Sequence, residues 1–276
     1  LDYKSISSNN FCPCMSGKKY KKCCEPIIDI IKVLPGVRID EQYALKDVLA
    51  NSETFRSFYN SERDKIKNFI FWCIDPNLNA QMRTASMSMQ GDPVVSIYII
   101  IIKKAPIAAE DAFDVAHELQ HLICADEGYC SIGWLDQKYS RSNFASLIAN
   151  ITNDPTVNSR LAKFGFDLWA YYDKACSLQK GYFGKCNDNN ISDQRQLIPL
   201  YLQKALDWDV ACKISKRSNN DFLNWFDNQY PISSAEARKK LEEIKQMGYD
   251  TPEKSQYILK NIIKSLGLDN ILHVSN

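Results

Sequence analysis

The chain holds only three histidines, and two of them stand four residues apart with a glutamate beside the first: His117-Glu118-Leu119-Gln120-His121. On a helix, positions i and i+4 share a face, one turn apart. The two imidazoles can therefore hold one metal ion between them. Glu118 is rotated only far enough from that face to reach a water on the ion. Zinc with two or three protein ligands keeps a position open and brings the pKa of a bound water to about 7. A neighbouring carboxylate can take the proton as the water attacks a carbonyl. The spacing therefore implies metal-assisted hydrolysis. From the chain's own His and Glu frequencies, chance supplies about 0.001 such matches. The bland alternative is two surface histidines on an ordinary helix.

The elements around the motif suit this chemistry. Val94–Ile102 is a short, β-branched apolar run, bounded by Gly91-Asp92-Pro93 and by Lys103-Lys104-Ala105-Pro106. It reads as a strand, and it is too short to span a bilayer. Pro106 opens the next element. Glu110 and Asp111 fall in its first turn, where the helix dipole favours acids. The spacing predicts a helix from about Ile107 to about Ala125, ending before Gly128.

A strand followed by a helix carrying His117-Glu118-Leu119-Gln120-His121 resembles the zincin metallopeptidases. The resemblance implies an α+β fold, mostly helical with a small sheet. It also implies zinc on His117 and His121, Glu118 as general base and acid, and a peptide or protein substrate. In that superfamily the strand is the sheet edge above the metal, where substrate backbone adds as a further strand. The third zinc ligand departs from the common patterns. Metzincins place it six residues after the second His, which is Glu127 here, but their helix-breaking Gly is replaced by Cys124. Gluzincins use a later Glu, and this chain has none between Glu127 and Glu236. Asp154 is the best-placed substitute. Asn150, Asp154 and Asn158 lie four apart and can form one polar stripe, a spacing similar to that of Asp-ligand zincins. The alternative is an Asp154-Pro155 turn ending a helix, since a residue before Pro is biased away from the helical region. Asp136 and Asp167 are reserve candidates, and His273 is a poor one.

A second constellation lies near the start. Four of the ten cysteines fall in Cys12-Pro13-Cys14-Met15-Ser16-Gly17-Lys18-Lys19-Tyr20-Lys21-Lys22-Cys23-Cys24. Two close pairs of soft thiolates across a tight turn suit a closed, tetrahedral structural zinc. So few residues do not fold without such a staple. The run resembles the SEC-C zinc motif, found at the C-terminus of the translocase ATPase SecA and in many bacterial proteins, and departs from its pattern only at Met15, where Gly is usual. The resemblance implies a small binding module, with the ribosome or a protein as partner. Lys18, Lys19, Lys21 and Lys22 around Tyr20 can meet phosphates, although a solvated face accounts for them more simply.

The remaining six cysteines are scattered, as expected of reduced thiols in a cytoplasmic protein; Cys176 and Cys186 could pair only in an oxidising compartment. The net charge of +1 over 276 residues argues against a nucleic-acid field spread over the whole chain. No signal peptide is visible and no membrane partner is expected. We therefore expect a SEC-C-like module over residues 1–27 and a zincin-like domain over 28–276 with a helical C-terminal part. Helices are expected over Asp40–Ala50, Ser52–Asn60, Ser61–Cys73, Val157–Leu178 and Ile191–Ile214. The Val157–Leu178 helix carries core aromatics. Gln179–Ser192 reads as a loop and an active-site rim. A capping box at Ser233-Ser234-Ala235-Glu236 starts a helix to Gly248, and another runs from Asp250 to Leu266. Two cofactor ions follow, one catalytic and one structural zinc. The rival function is a zinc-stabilised adapter whose histidine site is structural or inactive.

Overall fold

Side chains alternate between the two faces of a strand, so an unbroken apolar run needs cover on both. The run Ile97–Ile102 receives it: Ile97, Tyr98, Ile99, Ile100 and Ile102 are all buried. In the computed structural model, residues 7–11, 19–22, 25, 37–78, 80–89, 95–136, 144–215 and 220–275 are described. A four-stranded sheet forms from β1 (Val37–Ile39), β2 (Phe69–Ile74), β3 (Met82–Met89) and β4 (Val95–Ile102), in the order β1-β2-β4-β3. β2 and β4 are parallel, whereas β1 pairs β2 and β3 pairs β4 antiparallel.

This order corrects one expectation. The strand before the histidine helix is β4, and it is central rather than the sheet edge. Its uniform apolarity suits two neighbours. β3, with the sequence Met-Arg-Thr-Ala-Ser-Met-Ser-Met, has the polar content that edges carry. β2 corrects another, because Ser61–Cys73 does not form a helix. A three-residue 3-10 turn at Arg63–Lys65 follows the preceding helix, and the chain then enters the sheet. Ile70, Phe71, Trp72 and Cys73 are buried in succession.

The helices bounded within the described residues are α1 (Glu41–Asn51), α2 (Glu53–Glu62), α3 (Ala112–Asp126), α4 (Phe144–Leu161), α5 (Leu168–Phe183), α6 (Ile191–Ser215), α7 (Asp221–Gln229), α8 (Pro231–Met247) and α9 (Pro252–Ser265). A two-stranded antiparallel ladder joins β5 (Ser131–Trp134) to β6 (Leu272–Ser275). The described residues are mostly helical, in an α+β arrangement. None of their helices is long and apolar enough to cross a membrane.

The chain divides into two units. The first comprises Leu1–Arg56 and Ile66–Glu118, and the second Ser57–Lys65 and Leu119–Asn276. In the first, Asp40 caps α1 by accepting from the Gln42 and Tyr43 amides, and the Ile107 amide bonds to the Ala44 carbonyl at 2.9 Å. In the second, α4, α6 and α8 pack in sequence, and α9 lies on α4. Fully buried Leu200, Leu202, Phe226 and Leu259 are part of that core, each contributing about 2 kcal/mol through burial.

Three further expectations change in the second unit. The stretch Val157–Leu178 is two helices, broken at Gly165, whose φ of 88° is left-handed. The loop expected over Gln179–Ser192 is shorter, because α5 runs on to Phe183 and α6 begins at Ile191. The helix expected to start at a capping box opens instead at Pro231. Its cap comes from elsewhere in the chain: the Asp188 carboxylate accepts from the Ile232 amide at 2.7 Å, the Ser233 amide at 3.0 Å and the Ser233 hydroxyl at 2.5 Å. A carboxylate at a helix N-terminus satisfies orphan amides and complements the dipole. Asp188→Ala therefore lowers stability by about 2 kcal/mol, and Asp188→Asn by less. Urea denaturation followed by circular dichroism measures the difference.

Candidate metal centre

The helix α3 forms because its apolar positions recur at helical spacing. Val115, Ala116, Leu119, Leu122 and Ile123 are buried. It ends in a Schellman arrangement: the Tyr129 amide bonds to the Cys124 carbonyl at 2.9 Å and the Gly128 amide to the Ala125 carbonyl at 3.0 Å. Gly128, with φ of 98°, takes the left-handed position that a side chain disfavours. His117 lies in the middle of α3, is buried, and has the Phe113 ring one turn earlier at 5.7 Å. His121 follows one turn later and is partly exposed. Burial pushes the Cys124 thiol up to about 11, which makes it a poor nucleophile near neutral pH.

The helix α4 carries Asp154 and continues through Pro155 to Leu161, so the Asp-Pro pair does not end it. Pro155 has no amide to offer the Ile151 carbonyl. The neighbouring turn is tied by the Thr156 hydroxyl, which donates to the Thr152 carbonyl at 2.8 Å. The side chain of Asp154 is buried. Its Oδ1 lies 3.2 Å from His121 Nε2, and its Oδ2 accepts from Gln203 Nε2 on α6 at 2.5 Å. The stripe partner Asn158 serves a different carboxylate, donating to Asp207 Oδ1 at 3.0 Å.

A buried ion pair stands on α6 next to Gln203. Lys204 Nζ lies 2.9 Å from Asp207 Oδ2, and both side chains are almost fully enclosed. Burial opposes the charge on Lys204, but the carboxylates of Asp207 and Asp154 outweigh it and hold its pKa above the ordinary value. Burial pushes the Asp207 carboxyl upward, against the opposing pull of Lys204. Lys204 therefore stays charged.

One ligand atom from each of His117, His121 and Asp154 lies within 4.8 Å of the other two. Two imidazoles and one carboxylate are a donor set that zinc accepts with a position left open, so these residues fit the ion. In the first unit, Glu118 Oε2 accepts from the Thr84 hydroxyl on β3 at 2.5 Å.

Other candidates are placed elsewhere. Glu127 pairs with Arg160 Nη2 at 2.7 Å. Asp167 caps α5 by accepting from the Ala170 amide at 3.0 Å. Asp136 is exposed just beyond β5. His273 lies on β6 opposite Gly133. Cys12, Cys14, Cys23 and Cys24 lie outside the described residues. Their flanks are tied together, the Tyr20 amide bonding to the Asn10 carbonyl at 2.7 Å and the Lys21 amide to the Ser8 carbonyl at 2.9 Å. Tyr20 is buried, while Lys19, Lys21 and Lys22 are exposed. Cys73, Cys124, Cys130, Cys176, Cys186 and Cys212 are free, so Cys176 and Cys186 are not bridged.

The sequence reading missed Thr84, Gln203 and Asp207. A signal existed on α6. Gln203, Lys204 and Asp207 interrupt an otherwise apolar stretch at helical spacing, and polar groups on a core face need partners. Breaking the buried pair from one side strands a charge. Lys204→Met and Asp207→Leu should each destabilise the protein by about 3–5 kcal/mol, with the double variant losing much less than the sum. Thermal and urea unfolding of the four proteins in the cycle measure the coupling.

Comparison with known families adds one finding. The model of the SEC-C motif matches residues 9–26. No curated protein and no solved structure matches the chain. The residues matched are those of the cysteine-rich segment, a zinc-binding type of motif, and the histidine site lies outside them.

Proposed function

We propose that this protein is a zinc-dependent peptidase of the zincin type, with the SEC-C segment as a docking module for a protein or ribosomal partner. The observation that carries the reading is the convergence of His117, His121 and Asp154 within 4.8 Å, with Glu118 next to His117 in the sequence. When bound, zinc supplies Lewis acidity and a water of lowered pKa. The residues supply the rest. Gln203 takes one oxygen of Asp154 and so turns the other toward His121. Glu118 accepts a proton from the attacking water and returns it to the leaving amine. The strand β3 stands at the end of the sheet order and pairs only β4 among the described strands, so its outer side suits an extended peptide added as a further strand. The four cysteines of the SEC-C segment hold a separate, structural zinc. A reducing compartment such as the cytoplasm suits the free thiols.

Two measurements test this reading together. Elemental mass spectrometry should find two zinc ions per chain, falling to one in His121→Ala or in Asp154→Ala. Glu118→Gln should keep both ions and the melting temperature but lose cleavage of fluorescein-labelled casein by about a thousandfold, as expected for a general base. A chain that cleaves nothing with both ions bound, or that cleaves equally well with Glu118→Gln, overturns the peptidase reading and favours an adapter.

A further inference from the structure

We propose that Thr84 is a positioning residue for Glu118, holding one oxygen of its carboxylate from the edge strand so that the general base is fixed before substrate arrives. The inference rests on the peptidase reading above. An ionised carboxylate only accepts hydrogen bonds, so the Thr84 hydroxyl is the donor. The 2.5 Å separation between Thr84 Oγ1 and Glu118 Oε2 lies in the short range typical of a hydroxyl on a charged acceptor.

The donor is itself rigid. Threonine is branched at Cβ and stiff about χ1. Its backbone is registered in the ladder opposite Ile100, which is fully buried in the middle of the sheet. The acceptor is the opposite case. A glutamate has three side-chain torsions to fix, and a catalytic group must be placed within about 0.5 Å to work. Side chains alternate along a strand, so Arg83 and Ala85 point to the other face of β3. Thr84 belongs to the face that meets Glu118.

The test compares Thr84→Val, Thr84→Ser and Glu118→Gln in the full, zinc-loaded chain. Valine keeps the shape and strand preference of threonine and removes only the hydroxyl. Kinetics on a quenched fluorescent peptide chosen from a library should show kcat lowered about tenfold or more in Thr84→Val, with KM within about twofold. Thr84→Ser should recover most of the loss, and Thr84→Val should add nothing in the Glu118→Gln background. A loss falling on KM, an unchanged kcat, or a raised kcat overturns the proposal. The last would make the bond a latch instead.

If the unaltered protein cleaves nothing, the peptidase reading fails separately. The positioning is then read from the visible spectrum of the cobalt(II)-substituted chain. Thiolate bands from the cysteine site are shared by all variants and cancel in difference spectra. Thr84→Val shifting the remaining bands as Glu118→Gln does, with Thr84→Ser restoring them, supports the proposal. A spectrum unmoved by Thr84→Val overturns it.

Discussion

Asp154 is a carboxylate enclosed by protein, and an ionised carboxylate removed from water costs several kcal/mol unless its oxygens are satisfied. The second unit meets part of that requirement, at Oδ2. His121 stands at one oxygen and Gln203 donates to the other. Lys204 brings a positive charge into the same interior, where Asp207 holds it and Asn158 holds Asp207. The middle of α6 is therefore polar at three buried positions, Gln203, Lys204 and Asp207, although Leu200, Leu202, Ala205 and Leu206 around them are buried and apolar. A purely apolar α6 would pack as well and would leave the Asp154 charge without support. The polar set costs folding energy and fixes where one carboxylate points.

The same constraint explains why α4 tolerates a sequence that argues against it. Proline inside a helix removes a hydrogen bond and disfavours helical geometry for the residue before it. That residue is Asp154. Read locally, the pair predicts a stop. The helix continues because both sides of the pair are buried: Ile151 and Thr152 before it, Val157 and Asn158 after it. Tertiary burial outweighs a local preference, and the exception falls at a residue of the His117, His121 and Asp154 cluster.

That His117 and His121 share one helix and converge was legible because a chemical spacing and a helical period coincide in one segment. The helices α6 and α9 were legible from length and from flanking turn and cap residues. Asp154 was legible only as part of a polar stripe. What stayed hidden depends on partners distant in sequence. Phe69–Ile74 is apolar at every position and carries no period, so strand and helix could not be separated without knowing that β4 pairs it. The Ser233 capping box failed because Pro231 opens the helix earlier and Asp188, 45 residues upstream, supplies the cap. Thr84 and Gln203 are ordinary residues whose meaning is the carboxylate each one touches.

Glu127 is engaged in an ion pair and lies outside the His117, His121 and Asp154 cluster. It occupies the position where metzincins place their third ligand, and its carboxylate is taken by Arg160 of α4. Arg160 also lies over the Tyr129 ring, 5.6 Å from its centroid. In energy this partly exposed ion pair is worth about 1 kcal/mol or less. Its value is geometric. From His121 to Glu127 is six residues on α3 and its end, and from Asp154 to Arg160 is six residues on α4. Each step advances about 9 Å at the helical rise. The two contacts therefore tie the helices at equal intervals in the same direction, with no slip between them. The Glu127–Arg160 pair joins the same two helices as the contact between His121 and Asp154. The Gly128 stop right after Glu127 completes this arrangement: it ends α3 where the pair with Arg160 is made and sends the chain into β5.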